Sequence, residues 1–340
     1  MTAVERARSL ADDLLRPAAA QVDRTRVPRS HLNALGAAGL LGMSGPPELG
    51  GLAREQAREV VELVSGACAS TWFVMTQHLT PVAMLTASSN AGLKERLLAP
   101  MCRGEVLSGV AIAHLRRPGQ PAVTASRTAD GWVFDGHVGW MTSWGICDVF
   151  LLCGLTADRT EAVFTLVPAR EAPGLVASDP MELLAMQATS TVTLDLSGYV
   201  VPDADVVDVQ AYESWAEADH DRTADVSGAV FGVQREAVRQ LADREPALAE
   251  MLTSESDRLR NRAYAPAGGP RRIDERLALR AAALDLCLRS ATALVIAVGG
   301  SAMGRDHPAQ RLLREAAFLQ VQAQTTAVRA AMVGLLLSEK

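Results

Sequence analysis

Residues Asp130–Asp148, DGWVFDGHVGWMTSWGICD, decide how this chain is read. Trp132, Val133 and Phe134 are β-formers and Asp135-Gly136 is a strong hairpin signal, so the stretch predicts two short strands joined through Asp135-Gly136. A Gly-Trp-x-Thr-Ser turn follows and ends at Asp148, ahead of a third strand. In extended backbone, residues two apart share a face, so Trp140 and Thr142 can present an indole and a hydroxyl to the same side. That pair suits the edge of a flat ring with a polar rim. A Trp in a β segment is ordinarily a core residue, so the organisation on either side carries the weight.

Upstream, the apolar residues recur at helical spacing. Val4–Val22 follows that period, Ser30–Leu41 opens on an N-cap type of residue and stops at Gly39 and Gly42, and Arg54–Ser65, Ala69–Thr86 and Ala91–Met101 continue a helical bundle. Gly45-Pro-Pro-Glu-Leu-Gly-Gly51 reads as a rigid turn. From Glu105 to about Val209 the period drops to two. Val106–Ala113, Ala122–Ala129, Trp132–Gly136, Val149–Leu155, Ala162–Val167 and Thr191–Leu196 are strand candidates whose spacing fits an antiparallel barrel or sandwich. Helices return after Tyr212: one through Leu241, one from Pro246 to about Ala263, one over Ile273–Val298 and a last from Pro308 to Leu336, with Ala265–Pro270 a turn. The expected class is α+β, with helices over 1–104, a β-domain over 105–210 and a helical bundle over 211–340.

Composition narrows the function classes. The 340 residues are 49% hydrophobic but only 4% aromatic, which favours helix bundles over an aromatic-rich sandwich. No segment approaches ~20 uncharged apolar residues, so no membrane span is expected. Met1–Val22 carries charges throughout, unlike a signal peptide. A formal net charge of -6 and the lack of a basic stripe argue against a nucleic-acid partner. Arg116-Arg117 and Arg271-Arg272 read as local clusters on a solvated face, although either could meet a nucleotide. The five cysteines show neither a C-x-x-C pair nor a metal spacing and read as buried, reduced thiols of a cytoplasmic protein. The six scattered histidines offer no metal cluster either, so no metal is expected.

The 130–148 stretch resembles the flavin-contacting strand of the acyl-CoA dehydrogenase superfamily. In that likeness Trp140 and Thr142, with Ser143 beside them, fall where the isoalloxazine is held. The 45–51 turn is similar to the family's Pro-x-x-(Tyr/Phe)-Gly-Gly turn, with Leu49 where an aromatic is common. Leu183–Pro202 resembles the strand that closes the family's β-domain. Val298–Ser301 and His307–Ala316 resemble its helix-ending glycines and the Arg-bearing start of its last helix. A lone Gly-Gly pair would read as a plain C-cap; within this run of matches, Gly299 and Gly300 are implied to approach cofactor phosphates of a neighbouring subunit. The ordered matches span nearly the whole chain. They imply the superfamily's fold, bound FAD, and a homodimer or homotetramer.

The same resemblance exposes departures where the chemistry sits. Dehydrogenation of an acyl thioester needs a carboxylate to take the α-proton. Aligning Arg314 and Arg329 with the family's arginines puts Gln322 at the usual glutamate, and an amide is no base. Some relatives carry the base on the first C-terminal helix just before an Arg; Asp221, ahead of Arg222, is the substitute there, unless it simply stabilises a helix N-terminus. The family's substrate loop is replaced by Ala113–Gly119, and its FAD-holding R-x-x-F-G turn has no counterpart in Arg239–Leu252. These losses resemble the two-component flavin monooxygenases, which use O2 and reduced FMN or FAD supplied in trans by a flavin reductase. There Thr142 and Ser143 would donate hydrogen bonds, with His114 and Ser190 near the substrate, although a satisfied structural histidine is the plainer reading of His114. The leading expectation is a dehydrogenase of acyl-CoA or a carrier-bound thioester, with an electron-transfer partner. The alternatives are such a monooxygenase on a small-molecule substrate, or a non-redox binding or scaffold subunit that has lost flavin chemistry.

Overall fold

A capping box opens the first helix: Thr2 Oγ1 accepts from the Glu5 amide, and the Glu5 carboxylate takes the Thr2 N–H at 2.7 Å. The protein is described by a computed structural model covering residues 1–117, 119–265 and 272–338. Six helices come first: α1 (Ala3–Leu10), which runs through a π turn (Ala11–Leu15) into α2 (Arg16–Arg24), then α3 (Arg29–Ala37), α4 (Arg54–Ala67), α5 (Ala69–Ala87) and α6 (Ala91–Arg103). Eight strands follow: β1 (Ser108–Ala111), β2 (Val123–Thr128), β3 (Gly131–Met141), β4 (Val149–Leu155), β5 (Glu161–Pro168), β6 (Leu175–Ala177), β7 (Val192–Val201) and β8 (Val206–Ala211). Six more helices close the chain: α7 (Tyr212–Ala224), α8 (Gly228–Leu241), α9 (Pro246–Tyr264), α10 (Ile273–Val298), α11 (Pro308–Leu319) and α12 (Thr326–Leu337). The expected order of helices, sheet and helices is the observed one. Beyond Ala265, the turn expected over 265–270 lies outside the described residues, as do Pro118 and Arg271.

The sheet runs β6-β7-β3-β2-β4-β5-β8, with β1 also paired to β4. It is mixed rather than wholly antiparallel, because β1 and the start of β2 both lie parallel to β4 along one edge. β4 is an unbroken apolar run, VFLLCGL, because both its faces are covered. Phe150 and Leu152 join the larger core shared with the helices, while Leu151, Cys153 and Leu155 join a second core with α6, Trp215 and the far side of β5. The three-residue β6 and the half-buried β8 are edge strands too short or too weakly patterned to read in advance.

The hairpin expected at Asp135-Gly136 is not there. β2 and β3 turn at Ala129-Asp130, and Asp135-Gly136 lies inside β3 as a bulge, where the register with β7 shifts. Gly136 has φ +129°, and a Cβ there would sit 2.1 Å from the Ala122 carbonyl oxygen, so the close approach requires glycine. β3 therefore leaves β2 and continues along β7. A second register shift between Val138 and Met141 spans Trp140.

Two helices expected to be continuous are broken. Tyr212–Leu241 divides at Asp225–Ser227, where Ser227 caps α8 by accepting from the Ala229 amide. Pro308–Leu336 divides at Gln320–Thr325, where Ala323 takes φ +49° and Thr325 caps α12. The N- and C-terminal helices meet where α4 crosses α8 at Gly66 and Gly232. A Cβ on Gly232 would lie 2.1 Å from Ser65 Oγ and 2.4 Å from the Glu62 carbonyl oxygen. α10 is long and apolar enough to cross a membrane by length and composition, yet it buries Leu284, Cys287, Ala291 and Leu294 within the bundle. Gly232→Ala is expected to force α4 and α8 apart and cost about 1–3 kcal/mol of stability, read as a lowered urea midpoint; an unchanged midpoint would mean the crossing is not tight.

Candidate active site

A cavity of about 910 Å3 opens between α5, the β1–β3 side of the sheet, α10 and both helix breaks, near the top of the ~300–1,000 Å3 usual for ligand clefts. α5 contributes Trp72, Phe73, Thr76, Gln77 and Thr80 from one face. Phe73 meets Phe318 edge to face with centroids 4.7 Å apart, which makes an apolar wall. Trp72 is buried, and its indole N–H has no partner among the described residues. Opposite lie Trp140, 43% exposed, and Thr142, whose hydroxyl is 3.2 Å from that of Thr191.

The lining is strongly cationic, with seven arginines and a single acidic residue, Asp225, among the described residues. Three of these arginines have a carboxylate partner behind the wall, and a fourth, Arg54, pairs with Asp225 on it. Asp219 is 3% exposed and takes Arg116 side-on at 2.7 and 2.8 Å, with Arg222 on the same carboxylate. Burial alone would raise the Asp219 pKa, but Arg116 and Arg222 outweigh it and hold the group below its ordinary value. Arg314 pairs with Asp23, and Arg54 pairs with Asp225, which also accepts from Arg276 at 2.9 Å. Arg58 lies over the Tyr264 ring, 4.2 Å from its centroid. Arg280 hydrogen-bonds only backbone carbonyls, and burial, with the Arg116 charge, pulls its pKa down to about 10.

The structure brings some expected residues together and separates others. Trp140, Thr142 and Gln322 all line the cavity. Ser143 sits behind Thr142, fully buried with φ +78° and its hydroxyl unpartnered; its carbonyl holds the turn to Cys147. His114 does not line the cavity. Its Nε2 is 2.9 Å from the Cys153 carbonyl oxygen, and burial lowers its pKa to about 4, as suits a neutral structural histidine. Ser190, half-buried with φ +51°, accepts the Trp144 amide at its carbonyl and lies outside the lining. Asp221 is largely exposed and ion-paired with Arg276, away from the cavity wall. Gly299 and Gly300 form an exposed turn after α10. The Arg116-Arg117 pair, read above as a solvated cluster, lines the cavity instead. Asp225 and Arg280 were missed. Asp225 reaches the wall through the α7–α8 break, while an arginine within the apolar run of α10 was a visible signal for Arg280.

An exposed indole at the cavity edge, a neighbouring hydroxyl and a cationic surround fit a flavin ring and an anionic ligand. Residues 2–105 match the family described as acyl-CoA dehydrogenase, N-terminal domain. The chain is 22% identical over 355 residues to the short-chain-specific acyl-CoA dehydrogenase of Clostridium acetobutylicum, covering 95% of this chain and 93% of that protein. It is 26% identical over 200 residues to benzylmalonyl-CoA dehydrogenase of Aromatoleum aromaticum, where 57% of this chain spans about half, 53%, of the relative. Among solved structures, dibenzothiophene monooxygenase from Paenibacillus sp. A11-2 has the same fold, with a TM-score of 0.78 at 17% identity over 98% of this chain and 96% of that one.

Removing the Asp219 charge leaves two arginines facing no carboxylate, so Asp219→Asn is expected to cost about 3–5 kcal/mol in urea unfolding. Because the folded pKa is depressed, this contribution is fully present above the ordinary value of 3.8 and is lost only as pH falls through the folded value. The difference between wild type and variant is therefore flat from about pH 5 upward and shrinks only in acid. A difference that grows toward low pH would overturn the assignment.

Proposed function

We propose that the chain is a flavin-dependent oxidoreductase of the acyl-CoA dehydrogenase superfamily that dehydrogenates an acyl thioester in the arginine-lined cavity, with Asp225 taking the substrate proton. The observation that carries this reading is that Asp225 is the one carboxylate among the described residues on the wall shared with Trp140 and Thr142. A bound FAD would supply the two-electron acceptor. Trp140 would pack its indole against the ring and Thr142 would offer its hydroxyl to the ring's polar edge. Arg54 and Arg276 hold the Asp225 carboxylate in one orientation, and the Phe73–Phe318 wall keeps water from that side of the substrate.

A second copy of the chain would complete the assembly as a homodimer or homotetramer. Ile296, Leu336 and Leu337 are between 75% and 79% exposed on α10 and α12, and the Gly299-Gly300 turn lies beside Ile296 in sequence, open to a neighbour's cofactor. An electron-transfer partner in the cytoplasm would reoxidise the flavin.

Gln322 favours one alternative. It lines the cavity at the position where the resemblance puts the usual base, and Asp225 is engaged by two arginines. Oxygenation of a small molecule with reduced FMN or FAD delivered by a flavin reductase needs no such base. Two variants separate the readings in anaerobic titrations of the FAD-loaded protein with acyl thioesters. For the dehydrogenase, Asp225→Asn slows flavin bleaching by about 10²–10⁴-fold, and Gln322→Glu, which restores a carboxylate, speeds it. Absent bleaching in all three proteins, with oxygen uptake only when reduced flavin is supplied, transfers the assignment to the monooxygenase. Failure to bind flavin in either redox state leaves the binding or scaffold reading.

A further inference from the structure

Arg280 lies in α10 within an almost wholly apolar run and is 6% exposed. Nη1 donates to the Thr223 carbonyl, and Nη2 donates to the carbonyls of Gln322 at 2.9 Å and Ala323 at 3.4 Å. Its Nε makes no hydrogen bond, and no carboxylate pairs with Arg280 among the described residues. The arginines around it are differently placed: Arg116 and Arg222 share Asp219, and Arg314 has Asp23. Carbonyl oxygens at helix ends bring only partial negative charge, and a buried ion without a full counter-charge is costly. Arg116 and Arg222 share the Asp219 carboxylate, and Arg280 feels both the Arg116 and the Asp219 charge without pairing with either. Arg280 stays protonated at neutral pH, its pKa lying at about 10. It also touches the backbone of Gln322, beside the place where the proposed chemistry occurs.

We propose that Arg280 recognises a carboxylate carried by the acyl part of the substrate, so that the cavity selects an acidic acyl thioester over a neutral one. This deepens the thioester reading above and rests on it. The ligand carboxylate would face the unpartnered Nε side of a planar guanidinium, whose forked donors match two carboxylate oxygens better than an ammonium would. It would supply the full counter-charge that Arg280 lacks, and only when the substrate is bound. The unpartnered indole N–H of Trp72, buried on the same cavity wall, offers one further donor to an acyl-chain oxygen.

The test is anaerobic isothermal titration of the full-length, FAD-supplemented protein with matched pairs of thioesters: succinyl-CoA against butyryl-CoA, and glutaryl-CoA against valeryl-CoA. Wild type is expected to bind the carboxylated member of at least one pair about tenfold more tightly, equivalent to about 1.4 kcal/mol. Arg280→Met erases that preference, and Arg280→Lys keeps part of it. Equal affinities within both pairs, no binding of any thioester, or a preference that survives in Arg280→Met overturns the proposal. If Arg280→Met does not fold, the wild-type pairs and the lysine variant still decide. Binding is read without turnover, so failure of flavin bleaching would remove the dehydrogenase reading while leaving a measured carboxylate preference intact.

Discussion

A single buried guanidinium joins two helix ends on the wall of the cavity. The last carbonyls of a helix have no intrahelical partner, and the helix dipole leaves partial negative charge on them. Arg280 gathers such carbonyls from Thr223, in the last turn of α7, and from Gln322 and Ala323, just past α11. With their carbonyls met, both helices can stop inside the protein rather than at its surface. The chain that follows each stop, Asp225–Ser227 on one side and Val321–Gln324 on the other, lines the cavity. Had α7–α8 or α11–α12 run on as continuous helices, those segments would have filled their own hydrogen bonds and closed the space.

The opposite wall comes from the sheet. β4, packed on both faces, is the fixed element, and β1 and β2 are laid along it in parallel. Asp148, at the entry to β4, accepts the Leu107 amide at 2.7 Å and binds Arg29 of α3 at 2.8 Å, so the helices and sheet share one anchor. From this frame β3 departs through its glycine bulge and follows β7, and the second register shift leaves Trp140 facing the cavity rather than the core. The aromatic edge thus comes from the sheet, while Arg54, Arg58, Arg222, Arg280 and Arg314 come from the helices.

Electrostatics then separates structural charge from working charge. Asp219 and Asp23 neutralise arginines from behind the wall, at distances short enough to fix the side chains, which makes those pairs scaffolding. Asp225 and Arg280, both on the wall, stand apart from those pairs. One is a carboxylate on a helix break, the other a cation whose partners carry no charge.

Much of the architecture could be read locally. Helical and strand periods set the three-part order, β4 was delimited to the residue because a strand covered on both faces is apolar at every position, and Trp140 and Thr142 share a face by spacing alone. Local pattern failed where distant residues decide. Asp135-Gly136 has hairpin chemistry, but pairing with β7 turned it into a bulge. The segments at Asp225 and Gln322 contain no proline and sit within helical periodicity, so nothing nearby announces a break; the alternative partners that permit it come from α10, some 40 to 60 positions away. Asp221 reads as the substitute base, but the structure leaves it on the surface with Arg276, while the α7–α8 break puts Asp225 on the cavity wall. Arg116 reads as solvated until Asp219, 103 positions on, claims it. The sequence alone determined the order of elements, because periodicity is short-range. Only the tertiary structure decided which charges face the cavity, because burial and ion pairing are long-range.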